Sequence, residues 1–191
     1  MCVICYKPKG VKMPEKETLL AMFRANSHGC GFCTPTKYYK SLSFESFYKA
    51  IKKVSTNEPC IIHFRLATHG SIRRANCHPF YDRDTNTFFA HNGVLNILPD
   101  RDKTDSETAF RHIFVPYIQK YGLPSAELQD TVMQVRANTG SKFIFMQGDE
   151  VVMIGDFQPF EGCYVSNKRF LAYLGESSYF ACKGKFANAM Y

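Results

Sequence analysis

Apolar positions along the chain follow two periods, and the period separates strands from helices. The opening run Cys2-Val3-Ile4-Cys5-Tyr6 is β-rich and is closed by the region of Pro8 and Gly10, which predicts a strand and then a turn, with Cys2 where the strand begins. Similar short runs at Gly31 to Thr34, Cys60 to Leu66, Thr87 to His91, Lys142 to Met146 and Val151 to Ile154 are rich in β-branched or aromatic residues and predict sheet strands. Gln147-Gly148-Asp149-Glu150 predicts a tight hairpin turn between the last two.

Helical spacing governs three other segments. Pro14 and Glu15 open the first, which carries Leu19, Leu20, Met22 and Phe23 up to Asn26. The second, from about Phe44 to Val54, puts Phe44, Phe47, Tyr48 and Ile51 on one face. The third, Asp105 to Tyr121, is entered through Thr104 or Asp105 as N-cap and turns Phe110, Ile113, Phe114 and Tyr117 inward. Pro116 inside it predicts a kink or an early stop. Strands, helices and further strands in this order predict an α+β fold with sheets packed face to face and helices outside. A length of 191 residues fills one core, and with no repeat or flexible linker the expectation is a single domain over residues 1–191.

Composition narrows the class. With 45% hydrophobic and 21% charged residues, the chain falls among globular proteins rather than disordered or membrane ones. No stretch approaches the roughly 18 apolar residues of a membrane helix, and no basic-then-apolar leader opens the chain. The expected location is therefore the cytoplasm, without membrane contact. In that reducing setting the eight cysteines are expected to stay free, most of them as small buried hydrophobes. The net charge of +7 is spread over Lys7, Lys9, Lys12, Lys52, Lys53, Arg73, Arg74, Lys183 and Lys185, which reads as a solvated basic surface. It is compatible with a nucleic-acid or acidic partner but does not call for one.

The densest polar cluster in an apolar setting is His63-Phe64-Arg65-Leu66-Ala67-Thr68-His69-Gly70, at the end of a predicted strand. Arg65 there offers a planar, permanently charged fork that suits the α-carboxylate of an amino acid, and equally a buried ion pair. His91-Asn92-Gly93 ends another strand, where an Asn side chain and a glycine amide can serve as oxyanion donors or simply form a turn. The carboxylate of Asp105 can cap its helix or take an α-ammonium group. A carboxylate clamp, an ammonium clamp and an oxyanion hole lack only a nucleophile.

The pieces stand in one order: Met1-Cys2, Asn26-Ser27-His28-Gly29-Cys30-Gly31-Phe32, the segment His63 to Gly70, Asn76-Cys77-His78-Pro79-Phe80, His91-Asn92-Gly93 and Asp105-Ser106-Glu107. In that order the chain resembles the class II glutamine amidotransferases, the glutaminase branch of the N-terminal nucleophile (Ntn) hydrolases. The resemblance implies a four-layer αββα sandwich of two mainly antiparallel sheets. It implies Cys2 as nucleophile, Asn92 and the Gly93 amide as oxyanion hole, Arg65 and Asp105 on the glutamine head group, and Thr68, His69 and His78 lining or supporting the pocket. Leu66 stands where the family often has an aromatic residue, and Cys30 where it commonly has Trp or a small one, so the pocket packs differently.

What the resemblance implies is a glutaminase that needs neither cofactor nor metal, takes glutamine as substrate and passes ammonia to a separate synthase. An N-terminal Cys carries its own base, because an α-amino group titrates near ~8. Met1 must therefore be removed. Two other readings compete. One keeps the fold and cleaves another γ-glutamyl amide. The other is a zinc-binding structural module built on Cys2, Cys5, Cys30 and Cys33, against which stand the opposite faces of residues 2 and 5 on a strand and the long gap between the two pairs.

Overall fold

The computed structural model describes residues 2–67 and 70–174. Its strands are β1 (Val3–Lys7), β2 (Cys30–Cys33), β3 (Tyr38–Ser41), β4 (Cys60–Phe64), β5 (Phe80–Asp82), β6 (Thr87–Asn92), β7 (Lys142–Gln147), β8 (Glu150–Ile154), β9 (Gln158–Phe160) and β10 (Cys163–Val165). They form a six-stranded sheet in the order β3-β2-β4-β1-β10-β9 and a four-stranded sheet in the order β5-β6-β7-β8. Every pairing within them is antiparallel.

Successive side chains on a strand point to opposite faces, and that alternation divides the core into three. On the outer face of the larger sheet, Val3, Cys5, Cys30, Ile62 and Phe64 meet Leu19 and Met22 of α1 (Lys16–Ala25) and Phe47 and Ile51 of α2 (Phe44–Ile51). On its inner face, Ile4, Cys33 and Ile61 meet Phe88, Ala90, Ile144 and Met146 of the smaller sheet. The outer face of the smaller sheet, with Phe89, Phe143 and Phe145, packs under Phe110, Phe114, Ile118, Leu128 and Val132. These come from α3 (Asp105–Ala109), a π-helical turn over Phe110–Phe114, α4 (Val115–Tyr121) and α5 (Ala126–Val135). The result is the expected αββα sandwich. Among the described residues no helix is long and apolar enough to cross a membrane.

Local chemistry accounts for the element ends. Ser43 caps α2 by accepting the Ser46 N–H, and Thr104, not Asp105, caps α3 by accepting the Glu107 N–H at 3.1 Å. Pro116 neither stops nor breaks its helix. It has no N–H to give the carbonyl four residues back, and the π-helical turn just before it changes the winding so that the helical course continues from Asp105 to Tyr121. α2 ends at Ile51, short of Val54. The helix α5 and the short strands β3, β5, β9 and β10 were not anticipated.

One charge belongs elsewhere than expected. Lys7 is fully buried, and its ammonium donates to the carbonyls of Pro8 (3.1 Å), Val11 (2.9 Å) and Thr56 (2.9 Å). It fastens two loops together and is no part of the solvated basic surface. Lys183 and Lys185 lie outside the described residues.

Candidate active site

Three strand ends and one helix start converge at one end of the sandwich. β1 begins there with Cys2, β4 gives way there to Arg65 and Leu66, β6 ends there in Asn92 and Gly93, and α3 starts there with Asp105. A pocket between them is lined by Cys2, Arg65, Leu66, Ala67, Asn76, His78, His91, Gly93, Thr104, Asp105 and Ser106. Residues far apart in the chain thus share one cleft: of the side chains expected around Cys2, those of Arg65, His78 and Asp105 line it together with Gly93, whereas Asn92 is not among the lining residues. Thr68 and His69 lie outside the described residues.

The Cys2 sulfur is held by one residue. The Leu66 N–H donates to Sγ at 3.4 Å, and Sγ lies 3.6 Å from the Leu66 carbonyl. Burial pushes the Cys2 thiol above its ordinary value, while the Leu66 N–H and the Arg65 cation pull it back. Leu66 and Ala67 are themselves fixed from the Asn26–Phe32 segment: His28 Nδ1 accepts the Ala67 N–H at 3.0 Å, and the Gly29 carbonyl accepts the Arg65 N–H at 2.7 Å. Gly29 has φ +132°, and a Cβ on it would collide with Cys77 Sγ, so this close approach needs glycine.

Arg65 is 3% exposed, and its guanidinium donates to the Ser71 carbonyl at 2.9 Å and to that of Gly70 at 3.5 Å. Asp105 is oriented by two main-chain donors, Leu95 N–H at 2.9 Å on one oxygen and Ser106 N–H at 2.8 Å on the other. The Ser106 hydroxyl also lies 3.3 Å from Oδ1, so Oδ2 is the oxygen with a lone pair left for a further donor. Gly93 has φ +153°, and a Cβ there would collide with Ser141 Oγ and sit 2.9 Å from His91 Nε2.

Asn92 is buried beside this pocket, its carboxamide Nδ2 2.9 Å from Ser166 Oγ and its Oδ1 without a partner. Around it lie three buried histidines. His63 and His78 have ring centroids 4.3 Å apart, His63 Nε2 lies 3.3 Å from the His91 carbonyl, and His91 Nδ1 is 2.9 Å from Ser106 Oγ. Burial holds His63 down to about 3, His91 to about 4 and His78 well below its ordinary value, so all three are neutral near pH 7. Among the described residues, both ring nitrogens of His78 and Nε2 of His91 lack partners, and both rings line the pocket.

Sequence reasoning missed the supports from the chain's later part. Asn167 donates to the Cys2 carbonyl at 2.9 Å, and Ser166 contacts both Ile4 and Asn92. The available signal was a polar Ser-Asn pair directly after the apolar Cys163–Val165 strand. The four-cysteine alternative is not assembled. Cys5 and Cys30 face the outer core under α1 and α2, whereas Cys33 faces the layer between the sheets. Among the described residues no cluster of His, Cys, Asp or Glu is placed to hold a metal ion.

Known proteins share sequence or fold with this chain. Over 36 residues, 18% of the chain, it is 56% identical to proteins of Saccharomyces cerevisiae strains S288c and Lalvin EC1118 provisionally named isomerizing glutamine–fructose-6-phosphate aminotransferases. That stretch is 14% and 12% of those relatives, so the chain matches a small part of their length. Among solved structures, a glutamine phosphoribosylpyrophosphate amidotransferase from B. subtilis superposes with a TM-score of 0.58 at 15% identity over 92% of this chain and 44% of its own. An allosteric regulatory enzyme of purine biosynthesis gives 0.59 at 16% identity over 92% and 43%. Identities this low speak for the fold alone. The model of the family described as glutamine amidotransferases class-II matches residues 46–161, more than half of the chain, which therefore belongs to the class II glutamine amidotransferases.

Proposed function

We propose that this chain is a glutaminase in which Cys2, made N-terminal by removal of Met1, attacks the side-chain amide of glutamine and releases glutamate and ammonia. One observation carries the reading: Cys2 shares a pocket with Arg65, Gly93 and Asp105. Arg65 receives the α-carboxylate and Asp105 the α-ammonium group, which sets the γ-amide toward the sulfur. Asn92 and the Gly93 N–H stabilise the oxyanion, and Thr68, His69 and His78 line or support the pocket.

The steps balance without a cofactor. The freed α-amine, titrating near ~8, takes the thiol proton as the sulfur–carbon bond forms. It returns that proton to the leaving nitrogen as the carbon–nitrogen bond breaks, giving ammonia and a γ-glutamyl thioester. Water, deprotonated by the same amine, then cleaves the thioester to glutamate and restores the thiol. The Leu66 N–H steadies the sulfur while it carries charge. The neutral histidines put no cation beside the α-ammonium group. The ammonia goes to a separate acceptor synthase.

The test is glutamate release from glutamine, with and without candidate synthases, by wild type and Cys2→Ala, with intact mass recorded for the active protein. Cys2→Ala is expected to lose at least about 10³-fold in kcat, and the active species to lack Met1. Wild-type rates in Cys2→Ala, or retained Met1 in the active protein, would end this reading.

A further inference from the structure

Where β10 ends, a side chain takes over from the ladder. The β1–β10 register sets Cys5 opposite Val165 and so Ile4 opposite Ser166. Such a pair exchanges N–H to carbonyl bonds in both directions in a regular antiparallel sheet. Here Ser166 N–H donates to the Ile4 carbonyl at 2.9 Å, but the Ile4 N–H donates to Ser166 Oγ, also at 2.9 Å. The main chain is released from the ladder at this residue. Asn167 follows, and its side chain reaches the Cys2 carbonyl.

The same hydroxyl meets the Asn92 carboxamide from the other sheet. Ser166 is 1% exposed and Asn92 2%, so bulk water does not reach them. A hydroxyl has one hydrogen and two lone pairs. When Asn92 Nδ2 donates to it, three donors, the Ile4 N–H, Asn92 Nδ2 and Asn167 Nδ2 at 3.5 Å, compete for two lone pairs, and Asn92 Oδ1 is left buried with no donor among the described residues. Whichever end of the carboxamide faces away from Ser166 stays stranded until a ligand arrives, and only the NH2 end can donate to an oxyanion. The two ends of a carboxamide have the same shape, so the side chain fits with either end toward Ser166. With the amide turned, the Ser166 hydrogen goes to Asn92 Oδ1 and Ile4 keeps its lone pair. The unpartnered end then becomes an NH2 group.

We propose that Ser166 is a positioning residue of this site: its hydroxyl holds Asn92 by Oδ1 and so presents the Nδ2 hydrogens to the oxygen of the tetrahedral intermediate, while Asn167 fixes the main chain of Cys2. This rests on the roles given to Cys2 and Asn92 above. The bonds made and broken are unchanged; what Ser166 supplies is the direction of a donor.

The experiment compares full-length wild type, Ser166→Ala and Ser166→Thr, each with Met1 removed. It measures kcat and KM for glutamine, affinity for glutamate, and affinity for the γ-aldehyde analogue of glutamate, which adds the Cys2 sulfur and places a tetrahedral oxygen in the oxyanion hole. Ser166→Ala is expected to lower kcat roughly 10- to 100-fold with KM within about threefold. Aldehyde affinity should fall in step with kcat while glutamate affinity holds, and Ser166→Thr, which keeps the hydroxyl, should recover most of both. Wild-type kcat in Ser166→Ala overturns the proposal. So does a loss in which glutamate affinity falls along with kcat and Ser166→Thr gives no rescue, the mark of a purely structural role. Wild type no more active than Cys2→Ala overturns the glutaminase reading and this proposal with it, whereas the first two results overturn this proposal alone.

Discussion

Between the two sheets, the stretch lined by Ile4, Ile61, Phe88, Ala90, Ile144 and Met146 is closed and apolar, whereas the next positions along the same strands carry His63, Asn92 and, after β10, Ser166. Both stretches are equally buried, and they differ in what burial leaves undone. The apolar stretch removes hydrocarbon from water and leaves no polar atom behind. At the polar end, His63 Nδ1, both nitrogens of His78, His91 Nε2 and one end of the Asn92 carboxamide have no partner among the described residues. Each such atom costs about 1–3 kcal/mol in a folded protein. A fold that keeps them beside a cysteine, an arginine and an aspartate holds polar atoms ready for a ligand, and its stability has to come from the other end.

The sharpest way to break this contrast is at the polar end. Asp105→Asn is expected to lower kcat/KM for glutamine by about 10²- to 10³-fold, with a melting temperature close to wild type; a large loss of stability with normal kinetics would reverse the assignment of the two ends. Ile144→Ala at the apolar end is expected to show the opposite, about 2–5 kcal/mol less stability in chemical denaturation and an unchanged KM. Acid titration comes next. The folded state holds His63 down to about 3 and His91 to about 4, so as pH falls below about 6.5 the unfolded chain takes up protons that the native one refuses. Stability is therefore full above that pH and falls between about 6.5 and 4, by about 1.4 kcal/mol per pH unit for each such histidine. A flat urea midpoint across that range would contradict the burial of neutral rings. The smallest effect is expected of His78→Phe, which fills the same aromatic surroundings of His63, Phe80 and Phe89 without unpartnered nitrogens. Its stability should stay within about 1 kcal/mol of wild type or rise, while glutamate release falls.

The apolar end was legible from the sequence because it repeats. The strands Thr87–Asn92 and Lys142–Gln147 hold the unbroken apolar runs Phe88-Phe89-Ala90 and Phe143-Ile144-Phe145-Met146, and α1 and α2 carry the three-and-four spacing that names their buried faces. The ordered motifs around Cys2, Arg65, Gly93 and Asp105 were legible as chemistry, and the pocket draws those residues together. What stayed hidden depends on contacts that no local pattern records. Strands of three or four residues such as β5, β9 and β10 exist through their neighbours' hydrogen bonds rather than through propensity. The bond from Asn167 to the Cys2 carbonyl joins residues 165 positions apart, and the π-helical turn at Phe110–Phe114 answers a proline that sequence rules read as a kink or an early stop.

Lys7 carries a practical consequence. An ammonium with three carbonyls around it and no exposed surface is out of reach of an acylating reagent, while Lys9, two residues on, stands at the surface in an ion pair with Asp149. Pulse labelling of amines followed by peptide mass analysis would mark Lys9 at once and Lys7 only in molecules whose first strand has come apart. The ratio of the two tags then serves as a built-in gauge of how often the segment bearing Cys2 opens.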